Sequence, residues 1–311
     1  MDSLNELRDR IARLADGTQG PLSVEGMTVL SADRPALELG TVIEPLFALV
    51  AQGTKRSVLG DRVFDYGAGQ YLVVTVDLPL VSQITQASPD EPLLALGLPL
   101  KPQTIAELLL EAGPLPKQSE AGVAIATSDA DSDLLDAAVR LFRLQEKPDD
   151  FRVLAPAVVR EIHWRLLTGP QGALVRRIGL ADSRLTPVSR AVRWLQTHYD
   201  QAIRIDDLAG HVGLSVPSLN RHFRAVTALS PLQYQKQIRL QKARLHLMTA
   251  PHDVAAAGYA VGYDSPSQFS REYRRMFGAP PSHDAEHLQT TATIKAFEKN
   301  SLNSPVHSLA T

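Results

Sequence analysis

The spacing of apolar positions changes twice along the chain. From Met1 to Leu14, the residues Leu4, Leu7, Ile11 and Leu14 recur among Asp2, Glu6, Arg8, Asp9 and Arg10, which predicts an amphipathic helix. Residues 22–100 instead carry short β-type runs: Thr41–Val42–Ile43, Ala48–Leu49–Val50, Gln70–Tyr71–Leu72–Val73–Val74–Thr75 and Leu93–Leu94–Ala95–Leu96. Turn residues split them at Gln52-Gly53, Leu59-Gly60-Asp61, Gly67-Ala68-Gly69, Asp77-Leu78-Pro79 and Ser88-Pro89-Asp90. Strands at this spacing predict a small barrel or sandwich.

Helical spacing returns near residue 104, beginning with Ala106, Leu109 and Leu110. Residues 113–129, with Pro114 and Pro116, read as a loop. Leu134, Leu135, Ala138, Leu141 and Phe142 then follow one helix face, with Ser132 as the expected N-cap. A second helix is expected to start at Pro156, to run through Val158, Val159, Ile162, Leu166 and Leu167, and to stop at Gly169-Pro170. These two helices fit either packing on the β region or a dimer seam. Residues 183–289 read as all helix, with Thr186-Pro187 and Ser230-Pro231 each pairing a cap with a proline in the first turn. The tail from Thr290, rich in Ser, Thr and Asn, is expected to fray.

Two segments inside the helical part repeat one layout. In the first, Asp206 is expected to cap a short helix carrying Leu208, Ala209 and Val212. Gly213 makes a turn, and Ser215 caps a second helix with Leu219 and Phe223 inward. In the second, Asp253 caps 254–260, Gly262 turns, and Ser265-Pro266 opens a helix with Phe269 and Tyr273 inward. Helix, glycine turn, capped helix is the layout of helix-turn-helix, and small Ala209 and Ala256 are expected to let the paired helices cross closely. The outward residues are Ser218, Asn220, Arg221 and Arg224 in the first unit, and Ser267, Gln268, Ser270, Arg271 and Arg274 in the second. Arginine can read guanine and Asn or Gln adenine in a major groove, while Arg and Ser also hold phosphates. Any two short packed helices imitate one such unit; two copies joined by one long helix are much harder to obtain by accident.

Charge agrees with that layout. The net charge of −2 conceals an acidic part, 17 Lys/Arg against 25 Asp/Glu over residues 1–182, and a basic part, 13 against 8 over 183–289. A basic segment of this kind fits a polyanion partner, although many basic faces are merely solvated.

The segment from Thr186 to His287 resembles the DNA-binding domain of AraC/XylS-type transcriptional regulators. The resemblance rests on Leu208-Ala209, Gly213-Leu214-Ser215, Leu219-Asn220-Arg221-His222-Phe223 and Ser230-Pro231-Leu232-Gln233-Tyr234. It continues through Arg239-Leu240-Gln241-Lys242-Ala243-Arg244, Val261-Gly262-Tyr263-Asp264-Ser265, Gln268-Phe269-Ser270-Arg271-Glu272-Tyr273 and Phe277-Gly278-Ala279-Pro280-Pro281. One departure is Ala228, where the family usually has glycine. The region from about 20 to 180 is similar to the cupin-like domain of one AraC subgroup. It carries Gln52-Gly53-Thr54-Lys55, Gly60-Asp61, Gly69-Gln70-Tyr71-Leu72, Asp77-Leu78-Pro79, Gln86-Ala87-Ser88 and Arg160-Glu161-Ile162-His163.

The resemblance implies a multidomain α+β chain. Residues 1–182 are expected to form a cupin-like β-barrel with packed helices, for effector binding or dimerisation. Residues 183–289 are expected to form an all-α domain of two helix-turn-helix units joined by a linker helix, and 290–311 a flexible tail. It implies a sequence-specific regulator, activator or repressor, that binds double-stranded promoter or operator DNA. A small-molecule effector, RNA polymerase and a second copy of the chain are the other partners it allows.

The rival readings are a cupin-like enzyme fused to a DNA-binding module and a scaffold that binds DNA without sequence preference. The chain has no Cys, which removes disulfides, thiolate metal sites and cysteine nucleophiles. All nine His lie at His163 or later, so the β region lacks the imidazoles that a transition-metal cupin centre needs. His163 reads as a packing or hydrogen-bonding residue. Glu25, Glu38, Glu44 and Asp65 read as surface or turn carboxylates, and Gly67-Ala68-Gly69 lacks the following helix of a phosphate cradle. No catalytic residue, metal or cofactor is therefore expected. With 44% hydrophobic and 21% charged residues, 311 residues suffice for two folded domains. No apolar run approaches the ~18 residues of a membrane span, no signal peptide is evident, and the expected compartment is the cytoplasm.

Overall fold

The structure, a computed structural model, describes residues 2–15, 24–37, 41–115, 122–181, 187–250 and 253–290. Helix α1 (Ser3–Ala15) buries Leu7, Ile11 and Leu14, as its spacing predicts. The β region then folds into two sheets. The first has the order β1 (Thr28–Ala32), β9 (Leu93–Pro99), β4 (Leu46–Gln52), β7 (Gln70–Val74), β10 (Ile125–Asp129), and its pairs are antiparallel. The second has the order β2 (Ala36–Leu37), β8 (Leu78–Gln86), β5 (Thr54–Leu59), β6 (Arg62–Gly67), and β3 (Thr41–Ile43) also pairs with β8. Among the described residues no ladder joins the two sheets into the closed barrel the sequence suggests.

The first sheet is buried on both faces, so its central strands read as nearly unbroken apolar runs. Phe47, Leu49, Tyr71, Val73, Leu94 and Leu96 belong to a core formed with the helices. The alternate residues Val50, Leu72, Val74, Leu93 and Ala95 belong to a second core with Leu59, Leu80 and Ile84 of the other sheet. The helices covering the outer face are α1, α2 (Pro102–Ala112), α3 (Ser132–Leu144), α4 (Pro148–Thr168) and α5 (Gly172–Ala181). Arg143 on α3 and Arg10 both bond Glu6, and these partners hold its carboxyl down at about 2.

Several local expectations need correction. Strand β10 lies inside the expected 113–129 loop, because its pairing with β7 supplies an order that its own sequence does not signal. Asp131, not Ser132, caps α3; its carboxylate accepts the Leu134 N–H at 2.8 Å. Helix α4 starts at Pro148, and Pro156 lies within it, exposed, so the missing N–H falls on the solvent side. In α2 the buried residues are Ile105 and Leu108, while Leu110 is 85% exposed. The α2 seam is displaced because Gly179 of α5 packs on it, where an added Cβ would lie 2.9 Å from the Ala106 nitrogen.

The remaining helices are α6 (Pro187–Thr197), α7 (Ile205–Val212), α8 (Val216–Thr227), α9 (Pro231–Thr249), α10 (Val254–Ala260), α11 (Pro266–Phe277) and α12 (Pro281–Thr290). The caps expected at Ser215, Ser230, Asp253 and Ser265 form, Ser230 with Gln233 as a reciprocal capping box. Asp206 is not a cap: α7 begins one residue earlier, after Arg204, and Asp206 occupies its first turn. A carboxylate there still favours the positive end of the helix dipole. Thr186, Glu38 and the tail beyond Thr290 lie outside the described residues.

The inner β core continues without a break into the first helical unit. It takes in Val192 and Leu195 of α6, Leu208 of α7, Leu219 and Phe223 of α8, and Tyr234 and Ile238 of α9. Among the described residues, hydrogen bonds cross the same boundary at several points. The Ala124 N–H donates to the Val226 carbonyl at 2.8 Å. The Tyr234 hydroxyl donates to the Asp77 carbonyl at 2.7 Å, and the Gln196 amide donates to the Asp77 carboxylate at 2.9 Å. The Gln241 amide donates to the Leu80 carbonyl at 3.0 Å. Burial pushes the Asp77 carboxyl upward against the bond from Gln196.

Candidate nucleic-acid interface

Helices α7 and α8 form the first helix-turn-helix unit. Leu208, Ala209 and Val212 face Leu219 and Phe223, all buried. Gly213 turns the chain at φ +73°, a left-handed conformation that glycine adopts freely. Helices α10 and α11 form the second unit, closed over Phe269, Tyr273 and Phe277. The close crossing here is made by Ala257 and Gly258, and Ala256 is exposed, contrary to expectation. A Cβ on Gly258 would stand 3.1 Å from the Phe269 ring, so the contact falls two residues after the alanine read from sequence.

Buried residues at intervals of four, Leu219, Phe223 and Thr227 on α8 and Phe269, Tyr273 and Phe277 on α11, fix which side of each helix is left outward. On α8 that side carries exposed Asn220, Arg221 and Arg224, with Ser218 half-buried beside the cap. On α11 it carries exposed Ser267, Gln268, Arg271 and Arg274, with Ser270 half-buried. Arg221 and Arg271 occupy the same place relative to the cap serines Ser215 and Ser265, and so do Arg224 and Arg274. Among the described residues none forms an ion pair with these four arginines, whereas carboxylates pair with many arginines of the N-terminal part. Gln268 is less free, since its amide lies 3.4 Å from the Glu272 carboxylate. His222 and Arg275 are also exposed on the two helices, Arg275 one turn after Arg271.

The second unit has a polar core under α11. Arg244 of α9 donates to both Asp284 carboxylate oxygens, at 2.8 and 3.0 Å, and lies 4.6 Å from the Phe277 ring centre. The Tyr273 hydroxyl donates to the same carboxylate at 2.6 Å. Burial and that neighbouring carboxylate push the Tyr273 phenol upward, so it stays a donor.

Among the described residues the β region has no comparable cluster of exposed, unpaired cations. His163 is fully buried, with Nδ1 2.7 Å from the Val159 carbonyl and Nε2 accepting the Lys101 N–H. Burial lowers its pKa and favours the neutral ring that this pairing requires, so its role is structural. Asp65 is paired with Arg56, Glu25 with Lys101, and Glu44 is exposed.

Comparison with known proteins agrees with this geometry. Residues 23–174 match the family model of the AraC-type transcriptional regulator N-terminus, and residues 208–287 match that of a helix-turn-helix domain. The chain is 32% identical over 111 residues to the HTH-type transcriptional regulator ArgR of Pseudomonas aeruginosa, covering 36% of this chain and 33% of that protein. It is 32% identical over 146 residues to the HTH-type transcriptional activator RhaS of Salmonella agona, covering 46% of this chain and 51% of that one. The chain thus spans about half or less of the length of the curated relatives it matches. In fold it is similar to an apo, lysine-to-alanine variant of ToxT from Vibrio cholerae, with TM-score 0.56 and 10% identity over 86% of this chain and 99% of that one. Wild-type ToxT bound to an unsaturated fatty acid gives TM-score 0.52 and 12% identity, over 83% and 94%. With its β domain and its helix-turn-helix region both matched, the chain belongs to the AraC family of transcriptional regulators.

Proposed function

We propose that this protein is a sequence-specific DNA-binding transcriptional regulator controlled by a small molecule held in its β domain. Residues 183–289 serve as the DNA-binding domain and 1–182 as the sensing domain. The reading rests on one observation: at equivalent places two capped helices expose arginines that have no acidic partner among the described residues, each on the side opposite its helix's buried stripe. Ser218, Asn220, Arg221, Arg224, Ser267, Gln268, Ser270, Arg271 and Arg274 then face DNA. They enter two major-groove segments about one helical turn, ~34 Å, apart.

The β domain is suited to control because it touches the first unit directly, through Ala124 on Val226 and Asp77 on Tyr234. An effector acts by differential affinity for two arrangements of these parts. The role is non-catalytic and cytoplasmic, with RNA polymerase and a second copy of the chain as further partners.

The test is a gel shift on DNA upstream of the protein's own gene, at two salt concentrations, against random duplex competitor. A salt-sensitive shift that survives the competitor supports the reading. A shift that random duplex abolishes equally favours a scaffold without sequence preference. A stoichiometric transition metal in the purified protein would favour a cupin-like enzyme instead.

A further inference from the structure

If α8 and α11 read DNA together, whatever fixes one relative to the other selects the spacing between half-sites. The linker helix α9, which joins the two units, is the obvious candidate. A helix that meets each unit at one end still lets the second unit rock, because a single connection is a poor constraint on orientation. The structure contains a second constraint, built around Arg239 in the middle of α9.

The Arg239 guanidinium makes three hydrogen bonds, all to main-chain carbonyls. Nε donates to Tyr199 at 2.6 Å and Nη2 to Gln201 at 2.8 Å, both in the loop between α6 and α7 of the first unit. Nη1 donates to Gly262 at 2.7 Å, in the turn between α10 and α11 of the second. The same group lies 5.8 Å from the Tyr263 ring centre. One rigid planar fork therefore holds both units, and a guanidinium cannot adjust its donor directions independently. Gln235, one turn earlier, donates to the same Tyr199 and Gln201 carbonyls. Lys236 reaches the Glu272 carboxylate on α11 at 3.0 Å, and Tyr263 donates to its other oxygen at 2.8 Å. Gly262 closes the arrangement: a Cβ there would stand 1.9 Å from the Asp200 carbonyl oxygen, so the two loops touch backbone to backbone.

We propose that Arg239 is a positioning residue that fixes the placement of α11 relative to α8 and thereby the half-site spacing the protein accepts. The proposal rests on the DNA-binding reading above and deepens it. One inserted base pair moves the second half-site by ~3.4 Å and rotates it by ~35°. A rigid pair of helices cannot follow that change; a loosened pair can.

The experiment selects bound duplexes from a random pool with the full chain, with R239A and with K236A, and reads the distance between half-site motifs. The wild type is expected to give one spacing. Its affinity should fall ~10- to 100-fold when one base pair is inserted between the half-sites, as for a lost base-pair match. R239A is expected to keep the half-site motifs, to spread their spacing, and to bind the native and inserted duplexes within ~3-fold of each other. K236A breaks only the partly exposed tie to Glu272; it should shift the spacing in the same direction and carries the test if R239A does not fold. A lowered melting temperature with an unchanged spacing preference would make Arg239 merely structural and overturn the proposal. Absence of any two-part motif in the wild-type pool would overturn the DNA-binding reading itself, and the proposal with it.

Discussion

Gly262 lies directly on Asp200, so the turn of the second helix-turn-helix unit uses the backbone of the first as a wall. Its φ of +86° is also one that side-chain-bearing residues adopt at a cost. Gly262→Ala should therefore lose about 1–3 kcal/mol from overpacking and a further ~1–2 kcal/mol from the left-handed backbone. Urea unfolding of the two proteins measures this. An unchanged midpoint would contradict the contact.

Ala228 presents the opposite case. It ends α8 at φ +60°, the one described non-glycine residue with positive φ, where the family usually has glycine. Ala228→Gly relieves ~1–2 kcal/mol of left-handed strain and gives back ~0.4–1 kcal/mol through the freer unfolded chain. A net gain of about 0–1.5 kcal/mol is expected in the same unfolding assay. A loss would mean that the Ala228 methyl makes packing worth more than the strain.

These two residues show what the sequence made legible. Gly262 and Ala228 both stand out in a motif, and the caps at Ser215, Ser230, Asp253 and Ser265 follow from local hydrogen bonding alone. The apolar runs of β4, β7 and β9 were equally readable. What was not legible depends on distant partners. Strand β10 exists because β7 lies beside it, and Pro156 is tolerated because α4 turns that face to solvent. Arg239, Gln235 and Lys236 look in sequence like the polar side of a linker helix; only the folded loops supply the carbonyls they bind, and only α11 the carboxylate. The bonds from Tyr234 and Gln196 to Asp77 join residues more than a hundred positions apart, beyond the reach of any local pattern.

Asp284 carries the polar core of the second unit. Its removal leaves the buried Arg244 guanidinium and the Tyr273 hydroxyl without their shared acceptor. Breaking one side of a buried ion pair typically costs about 3–5 kcal/mol. Asp284→Ala should lose that much in urea or thermal unfolding. A loss below ~1 kcal/mol would show that water or relaxation replaces the carboxylate.

Asp77 makes the contact between the β domain and the first unit dependent on pH. Burial raises its carboxyl pKa, helped by Glu44 and opposed by Gln196 and Arg193. Between the ordinary carboxylate value and the raised one, the folded protein holds a proton there that the unfolded chain has released. Stability from this group is greatest below the ordinary carboxylate range and declines as pH rises through the raised value. Asp77→Asn keeps an acceptor for Gln196 and removes the titration. Unfolding measured from pH 4 to 7 should show a smaller decline in the variant, with the variant the more stable at neutral pH. Parallel curves would exclude Asp77 as the source.

Arg221 and Arg271 bear most directly on function, because they hold equivalent places on α8 and α11 and lack an acidic partner among the described residues. If each reads a base, Arg221→Ala or Arg271→Ala should weaken specific binding by ~1–3 kcal/mol and relax selectivity at one position of its half-site. If instead each holds a phosphate, the loss should be uniform across sequences and the salt slope should fall by about 1. Anisotropy titrations on a selected duplex and its single-base variants, at several salt concentrations, separate the two. The two arginines need not behave alike. Arg221 lies on the helix whose Val226 accepts a hydrogen bond from the β domain, so its contribution should respond to that domain's state. Arg271 lies on the helix positioned through Arg239 and Lys236, and its contribution should respond to substitution there. Unchanged affinity in both arginine variants would show that these faces do not meet DNA, and the docking proposed for α8 and α11 would have to be abandoned.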